Sequence, residues 1–95
     1  MKKETQVFLN KRAQKDLDKV PLFIAKKFQA WVIAVERYGI LATRQIKGFH
    51  DEPLQGKRSG ERSLRLNRSY RVIYVENEQS ELVILKVIEV NKHEY

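Results

Sequence analysis

The chain has 95 residues, enough for one domain over residues 1–95, and 42% of them are hydrophobic, which supplies a modest core. It contains no cysteine, which excludes a disulfide framework, a thiol nucleophile and a cysteine-based zinc site. No apolar run is long enough for a membrane span or a signal peptide, so we expect a cytoplasmic protein without membrane association. The net charge of +7 favours a polyanionic partner, which is nucleic acid, an acidic protein or both.

The first part of the sequence predicts one strand and two helices. Residues 4–10 form a strand candidate ending at Asn10, a residue suited to cap a helix over 11–19. Pro21 favours the first turn of a second helix, and Gly39 is suited to end it. Within that helix, apolar residues recur three and four positions apart: Ile24, Phe28, Trp31, Val35 and Tyr38. Such a stripe is typical of a core-facing helix, so Trp31 is assigned to the core.

The rest of the sequence predicts a sheet after a further helical turn or two within 40–47. An irregular connection follows, marked by Gly48, Pro53, Gly56 and Gly60. Strands are then predicted over 62–67, 70–75 and 81–90, with a polar turn at 76–80. The last strand is apolar on both faces, as a central strand would be. The predicted order is β-α-α-β-β-β in the α+β class, with two helices packed on one face of a mainly antiparallel sheet.

The densest electrostatic feature is a run of six cations within residues 57–71, where Glu61 is the only acidic residue. These cations are Lys57, Arg58, Arg62, Arg65, Arg68 and Arg71. We expect the strands from Arg62 to Arg71 to project them onto the sheet face that the helices leave open. Arginine pairs with phosphate in bidentate fashion, so this surface suits RNA. Three tyrosines are candidates for stacking on bases, although at least one of the first two is expected in the core: Tyr70, Tyr74 and Tyr95.

RNA cleavage fits this inventory of side chains because RNA brings its own nucleophile, the 2′-hydroxyl. The reaction then requires a base, cations for the developing phosphorane charge and an acid for the leaving oxygen. Glu52 and His93 are the best acid–base candidates, whereas His50 lies in the connection and suits the role less well. No cofactor is predicted, and a metal site is not expected because the two histidines and scattered carboxylates match no ligand spacing.

The motifs of the second half resemble the RelE/ParE superfamily of bacterial toxins. The stretch 52–66 reads EPLQGKRSGERSLRL and is followed by YRVIY at 70–74. That family often reads HPLKG, then RSIRI and YRIIY, and ends in a short His/Tyr tail. The resemblance is best over residues 50–95. It implies a microbial-RNase-like fold and a toxin that cuts mRNA on the translating ribosome without a metal. It also implies a co-encoded antitoxin, held in a heterotetramer or a larger complex.

The resemblance also implies roles for individual residues. Glu52 stands where YoeB-like members keep a base, and Arg71 matches the arginine that stabilises the scissile phosphate. His93 and Tyr95 match tail residues that act as acid or as base-stacking group, and RNA-holding cations are expected at Lys57, Arg58, Arg62, Arg65 and Arg68. One departure is that Glu94 separates His93 from Tyr95, whereas YoeB-like tails end in His-Tyr directly. This leaves open which of the two is the acid.

Two alternatives to the nuclease remain. The first is a ParE-like toxin of the same fold, which inhibits DNA gyrase and carries out no RNA chemistry. Such toxins generally lack a His/Tyr tail, so His93 and Tyr95 favour the nuclease. The second alternative is a non-catalytic module whose basic sheet docks on phosphates. For either toxin, we expect the antitoxin to present an acidic, partly helical segment to the basic surface or across the helices.

Overall fold

The computed structural model describes residues 4–79 and 81–92, and it begins with a strand followed by three helices. These are β1 (Glu4–Leu9), α1 (Lys11–Lys19), α2 (Leu22–Tyr38) and α3 (Ile40–Arg44). The predicted cap is confirmed, because the side chain of Asn10 accepts a hydrogen bond from the Ala13 N–H at 2.8 Å. Pro21 directly precedes α2, and Gly39 ends this helix with φ of 85°, a backbone conformation that favours glycine.

The remaining chain completes a five-stranded sheet. Its strands are β2 (Glu52–Pro53), β3 (Arg62–Arg65), β4 (Tyr70–Glu78) and β5 (Leu82–Lys92), and short 3₁₀ turns cover Lys47–Phe49 and Gly56–Arg58. The spatial order is β1-β5-β4-β3-β2. Only the pairing of β1 with β5 is parallel, so the predicted α+β class, the mainly antiparallel sheet and the internal position of the last strand are confirmed.

Two local predictions were wrong. The polar segment 76–80 is not a turn throughout, because β4 continues to Glu78 and pairs with the start of β5. A polar sequence still forms a strand there because the apolar segment Val83–Leu85 supplies the pairing partner. The irregular connection contains β2, which pairs Glu52 with Ser63 at the edge of the sheet. An edge position tolerates Pro53, which has no N–H to donate to a second neighbour.

The core lies between the helices and one face of the sheet. Its buried residues come from α1, α2, α3 and the inward positions of the strands, with Phe49 and Leu66 from the connecting segments: Ala13, Ile24, Phe28, Trp31, Val35, Ile40, Phe49, Leu64, Leu66, Val72, Tyr74, Val83, Leu85, Val87 and Val90. Trp31 is fully buried, as predicted, with its ring centroid 5.4 Å from that of Tyr74. The helices therefore cover a single face, and the opposite face is left for function.

Helix α1 protects the part of β5 that β1 does not reach. The β1–β5 pairing ends at Leu9 and Val87. Beyond that point, the Asp16 carboxylate on α1 accepts a hydrogen bond from the Val90 N–H at 2.9 Å. This contact satisfies a backbone donor that would otherwise be exposed on a strand edge. It also fixes α1 beside the end of β5, where the candidate site lies.

Candidate nucleic-acid interface

The alternation of side chains decides which cations reach the open face of the sheet. Leu64 on β3 pairs with Val72 on β4, and both belong to the core on the helix side. Their chain neighbours Arg65 and Arg71 therefore point to the opposite face. These two arginines are themselves directly opposite each other in the register. The open face thus carries a cross-strand pair of like charges.

This Arg65–Arg71 pair has no carboxylate partner among residues 4–79 and 81–92. Both side chains are half-buried, and Arg71 is opposite Asn91 on its other side. Like charges placed directly across a strand pair destabilise the sheet unless an anion or a polar partner compensates them. Two guanidinium groups held side by side on a sheet form a site that a phosphate group would stabilise.

Glu52 lies on the same face as the two arginines, in the adjacent row, where a row is a set of residues directly opposite one another on neighbouring strands. It is opposite Ser63, and Ser63 precedes Arg65 by two positions on β3. Diagonal neighbours of this kind lie about 7–8 Å apart at the backbone, which is within reach of long side chains such as those of Glu52 and Arg65. Glu52 is exposed and therefore accessible to a ligand.

The same row continues across the sheet to a buried carboxylate, Glu89 on β5. Ser63 is paired with Ile73, and Ile73 is paired with Glu89. Glu89 is 8% exposed and accepts hydrogen bonds from Arg58 at 2.9 Å and from the Asn91 side chain at 2.6 Å. Arg12 of α1 lies 3.6 Å from its second oxygen. Burial opposes ionisation of Glu89, but these hydrogen bonds and the charges of Arg58 and Arg12 prevail and lower its pKa.

Arg58 is consequently held in ion pairs. Its Nη2 donates to Glu89, and its Nε donates to Glu61 at 2.6 Å. The hydrogen bonds to Glu89 and Glu61 raise the pKa of Arg58 despite some loss of solvation. The predicted RNA-holding cation at this position is therefore charged, but two carboxylates already compensate it.

Arg62 does not project onto the open face, contrary to the expectation. It is opposite Tyr74 in the register and shares the helix-covered face with Leu64, two positions further along β3. Its Nε donates to Asp51 at 2.7 Å, and the side chain of Asp51 is only 2% exposed. The position of Arg62 therefore gives no support to a role in holding RNA.

Asp51 is the centre of a second ion-pair cluster, which joins the connection to the sheet. Its second oxygen accepts a hydrogen bond from the Tyr74 hydroxyl, and Arg44 Nε lies 3.7 Å from its first. Arg44 also donates to Tyr74 at 3.3 Å and to Glu76. Burial and the neighbouring Asp51 carboxylate raise the pKa of Tyr74, whereas burial of Arg44 is outweighed by its bonds to Tyr74 and Glu76, which raise its pKa.

The other predicted residues are spread around the site. Lys57 and Arg68 are exposed in the segments before β3 and after it, and Arg68 has an interaction partner. Tyr74 is fully buried, and Tyr70 packs against the core from the same face, so neither is placed to stack on bases at the open face. His50 is exposed and lies outside the Glu52 row. His93 and Tyr95 lie outside the described residues.

Sequence reasoning missed Arg44, Asp51 and Glu89. Glu89 left a usable signal, because a carboxylate in the middle of an apolar strand must be paired if it is buried. Asp51 left none, since its partners come from positions 44, 62 and 74 and form no local pattern. No group of carboxylates and histidines within the described ranges could hold a metal ion. In the same ranges, no helix has both the length and the apolar character needed to cross a membrane.

Comparison with known proteins links this chain to the toxins of type II toxin–antitoxin systems. A family model described as the ParE toxin of the parDE type II toxin–antitoxin system matches residues 7–94. No curated protein matches the sequence.

Three solved structures illustrate the structural likeness. The YoeB/ParE toxin from Agrobacterium tumefaciens superposes with a TM-score of 0.73 at 17% identity, over 94% of this chain and 99% of that one. The YoeB–YefM complex from Staphylococcus aureus gives 0.69 at 18% identity, over 96% and 99%. The DinJ–YafQ toxin–antitoxin complex of E. coli gives 0.69 at 16% identity, over 95% and 93%. At these identities, the likeness shows the fold.

Proposed function

This chain belongs to the ParE toxin family of type II toxin–antitoxin systems, and we propose that it is an endoribonuclease that cuts mRNA on the translating ribosome. One observation carries the proposal: the Arg65–Arg71 pair lies on the open face without a carboxylate partner in the described part of the chain, one row from Glu52. A site of two cations beside an accessible carboxylate suits the scissile phosphate and the 2′-hydroxyl of RNA.

The proposed reaction uses the substrate's own 2′-hydroxyl and requires no metal. Glu52 takes the proton of this hydroxyl, whose oxygen attacks the adjacent phosphorus. Arg71 and Arg65 stabilise the charge that develops on the phosphorane oxygens. The bond from phosphorus to the 5′-oxygen then breaks, leaving a 2′,3′-cyclic phosphate. His93 is proposed to protonate the leaving oxygen, and Tyr95 to stack on a base, although the opposite assignment also fits their chemistry.

The test is a single-turnover assay on ribosomes programmed with a defined mRNA, in buffer containing EDTA. Wild-type protein should cleave, and Arg71→Ala should slow cleavage on the order of 10²–10³-fold, as expected for the loss of a charge-stabilising donor. Arg37→Ala is the matched control, because Arg37 is an exposed arginine at the end of α2 and outside the candidate site. Absence of cleavage by wild-type protein, or equal loss in both variants, would overturn the proposal.

Inhibition of DNA gyrase is the second candidate, and the description of the matching family as ParE favours it. It predicts that purified protein blocks supercoiling by gyrase and leaves programmed ribosomes intact. In cells, gyrase inhibition would stop DNA replication first, whereas the nuclease would stop protein synthesis first.

A cognate antitoxin is the proposed protein partner, as found for the Staphylococcus and E. coli toxins in their complexes. The net charge of +7 suits an acidic segment, and α2 exposes Leu22 at 70% and Phe23 at 63% as apolar contacts for a helix. Association should slow as ionic strength rises. A complex whose association rate is insensitive to salt would require a mainly apolar interface.

A further inference from the structure

We infer that Glu89 is a positioning residue of the proposed nuclease, which restrains Arg58 and Asn91 around the phosphate-binding pair at the expense of RNA affinity. The inference rests on the proposed function, since it assigns a role within the same site. The position of the Glu89 side chain is unusual. Glu89 is 8% exposed in a strand that is otherwise mostly apolar. A buried carboxylate is costly unless it is fully paired, so its partners indicate its role.

The partners of Glu89 come from three separate parts of the fold. Arg58 belongs to the connection between β2 and β3, Asn91 to the end of β5, and Arg12 to α1. One carboxylate oxygen accepts from Arg58, and the other accepts from Asn91 and faces Arg12. Glu89 is two strands away from β3, so Arg58 reaches it across the row of Ser63 and Ile73, which are 2% and 4% exposed. This carboxylate therefore ties the connection to the centre of the sheet.

These contacts bear on the Arg65–Arg71 pair without touching it. Asn91 is directly opposite Arg71, so the bond from Asn91 to Glu89 fixes the residue that adjoins the proposed catalytic arginine. Asn91 also lies just before the tail that carries His93 and Tyr95. Arg58 is kept pointing at Glu89 and is not free to turn towards a phosphate.

Removing the charge of Glu89 has two opposite consequences. Arg58 and Arg12 lose a compensating carboxylate, so the face becomes more positive and should bind the RNA backbone more tightly. At the same time, Arg58 and Asn91 lose their fixed orientation, so the bound phosphate is aligned less well with Glu52 and Arg71. A small misplacement of reacting groups can cost on the order of 10²-fold in rate. Substitution of a purely structural residue would instead lower the RNA affinity, the cleavage rate and the stability together.

The experiment compares Glu89→Gln with wild-type protein. Glutamine has nearly the same shape and retains one acceptor oxygen, so the variant tests charge more than volume. Binding of a ten-nucleotide single-stranded RNA is measured by fluorescence anisotropy at several salt concentrations, and cleavage is measured on programmed ribosomes in single turnover. We expect tighter binding, with a plot of log affinity against log salt that is steeper by about 0.7 for each uncompensated cation. We expect cleavage to be slower by about 10²-fold.

Two further variants keep the test decisive. Glu61→Gln removes the other partner of Arg58, which is more exposed at 25%, and leaves Glu89 in place. It should increase affinity with little change in the cleavage rate. Arg58→Gln removes the cation that Glu89 restrains, and the side chain of Arg58 is more exposed than that of Glu89. It should slow cleavage without tightening RNA binding, and it serves as the measurement if Glu89→Gln does not fold.

Weaker binding and slower cleavage in Glu89→Gln, in parallel with a lower thermal midpoint, would overturn the inference in favour of a structural role. An unchanged cleavage rate would also overturn it. Failure of the proposed function can be distinguished from failure of this inference, because wild-type protein would then cleave no mRNA. In that case, the RNA affinity and its salt dependence still report whether Glu89 restrains the two cations. An unaltered salt dependence in Glu89→Gln would show that it does not.

Discussion

The Asp51 cluster is expected to contribute a large part of the stability, and Asp51→Ala tests this directly. The substitution removes a carboxylate that is 2% exposed and accepts hydrogen bonds from Arg62 and the Tyr74 hydroxyl. It leaves Arg44 and Arg62 close together, with Glu76 as the remaining acid of the cluster. Loss of one partner of a buried ion pair typically costs 3–5 kcal/mol. Because Arg44 and Arg62 are 17% and 25% exposed, we place the loss at the lower end, about 3 kcal/mol.

A loss of that size should lower the thermal midpoint by roughly 12–24 °C in a domain of this length. The free energy of unfolding is measured by urea titration, with circular dichroism as the signal. Glu76→Ala is the matched control, since Glu76 also pairs with Arg44 but is 28% exposed and should cost about 1 kcal/mol or less. Equal losses in the two variants would refute the argument, because burial of the carboxylate would then make no difference.

Three further predictions concern the same elements. Arg71→Ala should leave the thermal midpoint unchanged or slightly higher, because it relieves the repulsion with Arg65. Arg62→Ala should lower the thermal midpoint, because it removes the hydrogen bond to Asp51, and the reverse order would contradict the assignment of the two arginines to opposite faces. Because the pKa of Tyr74 is raised in the folded protein, the unfolded state loses its phenolic proton first, and stability should fall as pH rises above about 10. Urea titrations at several pH values should show this fall, and Tyr74→Phe should remove the part of it that comes from Tyr74. Deleting residues 93–95 should abolish mRNA cleavage and leave a folded protein, whereas a deletion that begins at Asn91 would also remove a partner of Glu89. Full activity in the shorter deletion would mean that Glu52 and the arginines carry out the reaction without the tail.

Local patterns in the sequence were sufficient for most of the fold. The helix over 11–19 and the stop at Gly39 were predicted because capping and three-to-four periodicity are properties of neighbouring residues. The strand β2 was not predicted, because two residues that include Pro53 carry no periodicity of their own. Its formation depends on pairing with β3, which lies about ten residues further along the chain. The extension of β4 to Glu78 was missed for the same reason, since its partner on β5 supplies what its own polar sequence lacks.

The site was predicted less completely because its character depends on which charges compensate each other. The run from Lys57 to Arg71 indicated a basic surface, but two of its arginines bond to carboxylates. Arg58 bonds to Glu89, 31 positions away, and Arg62 bonds to Asp51, 11 positions away. Neither separation corresponds to a period of a helix or a strand, so no local pattern reveals these pairs.

The two carboxylate clusters complement the Arg65–Arg71 pair. A cross-strand pair of arginines destabilises the sheet that carries it, so other contacts must hold β3 and β4 in register against this repulsion. Asp51 does so from the helix side through Arg62 on β3 and Tyr74 on β4. On the open side, Glu89 joins the connection before β3 to β5 through Arg58 and Asn91. Each cluster absorbs one arginine of the basic run. Of the four cations that remain in this run, Arg65 and Arg71 are the two that lie side by side on the open face, in the row next to Glu52.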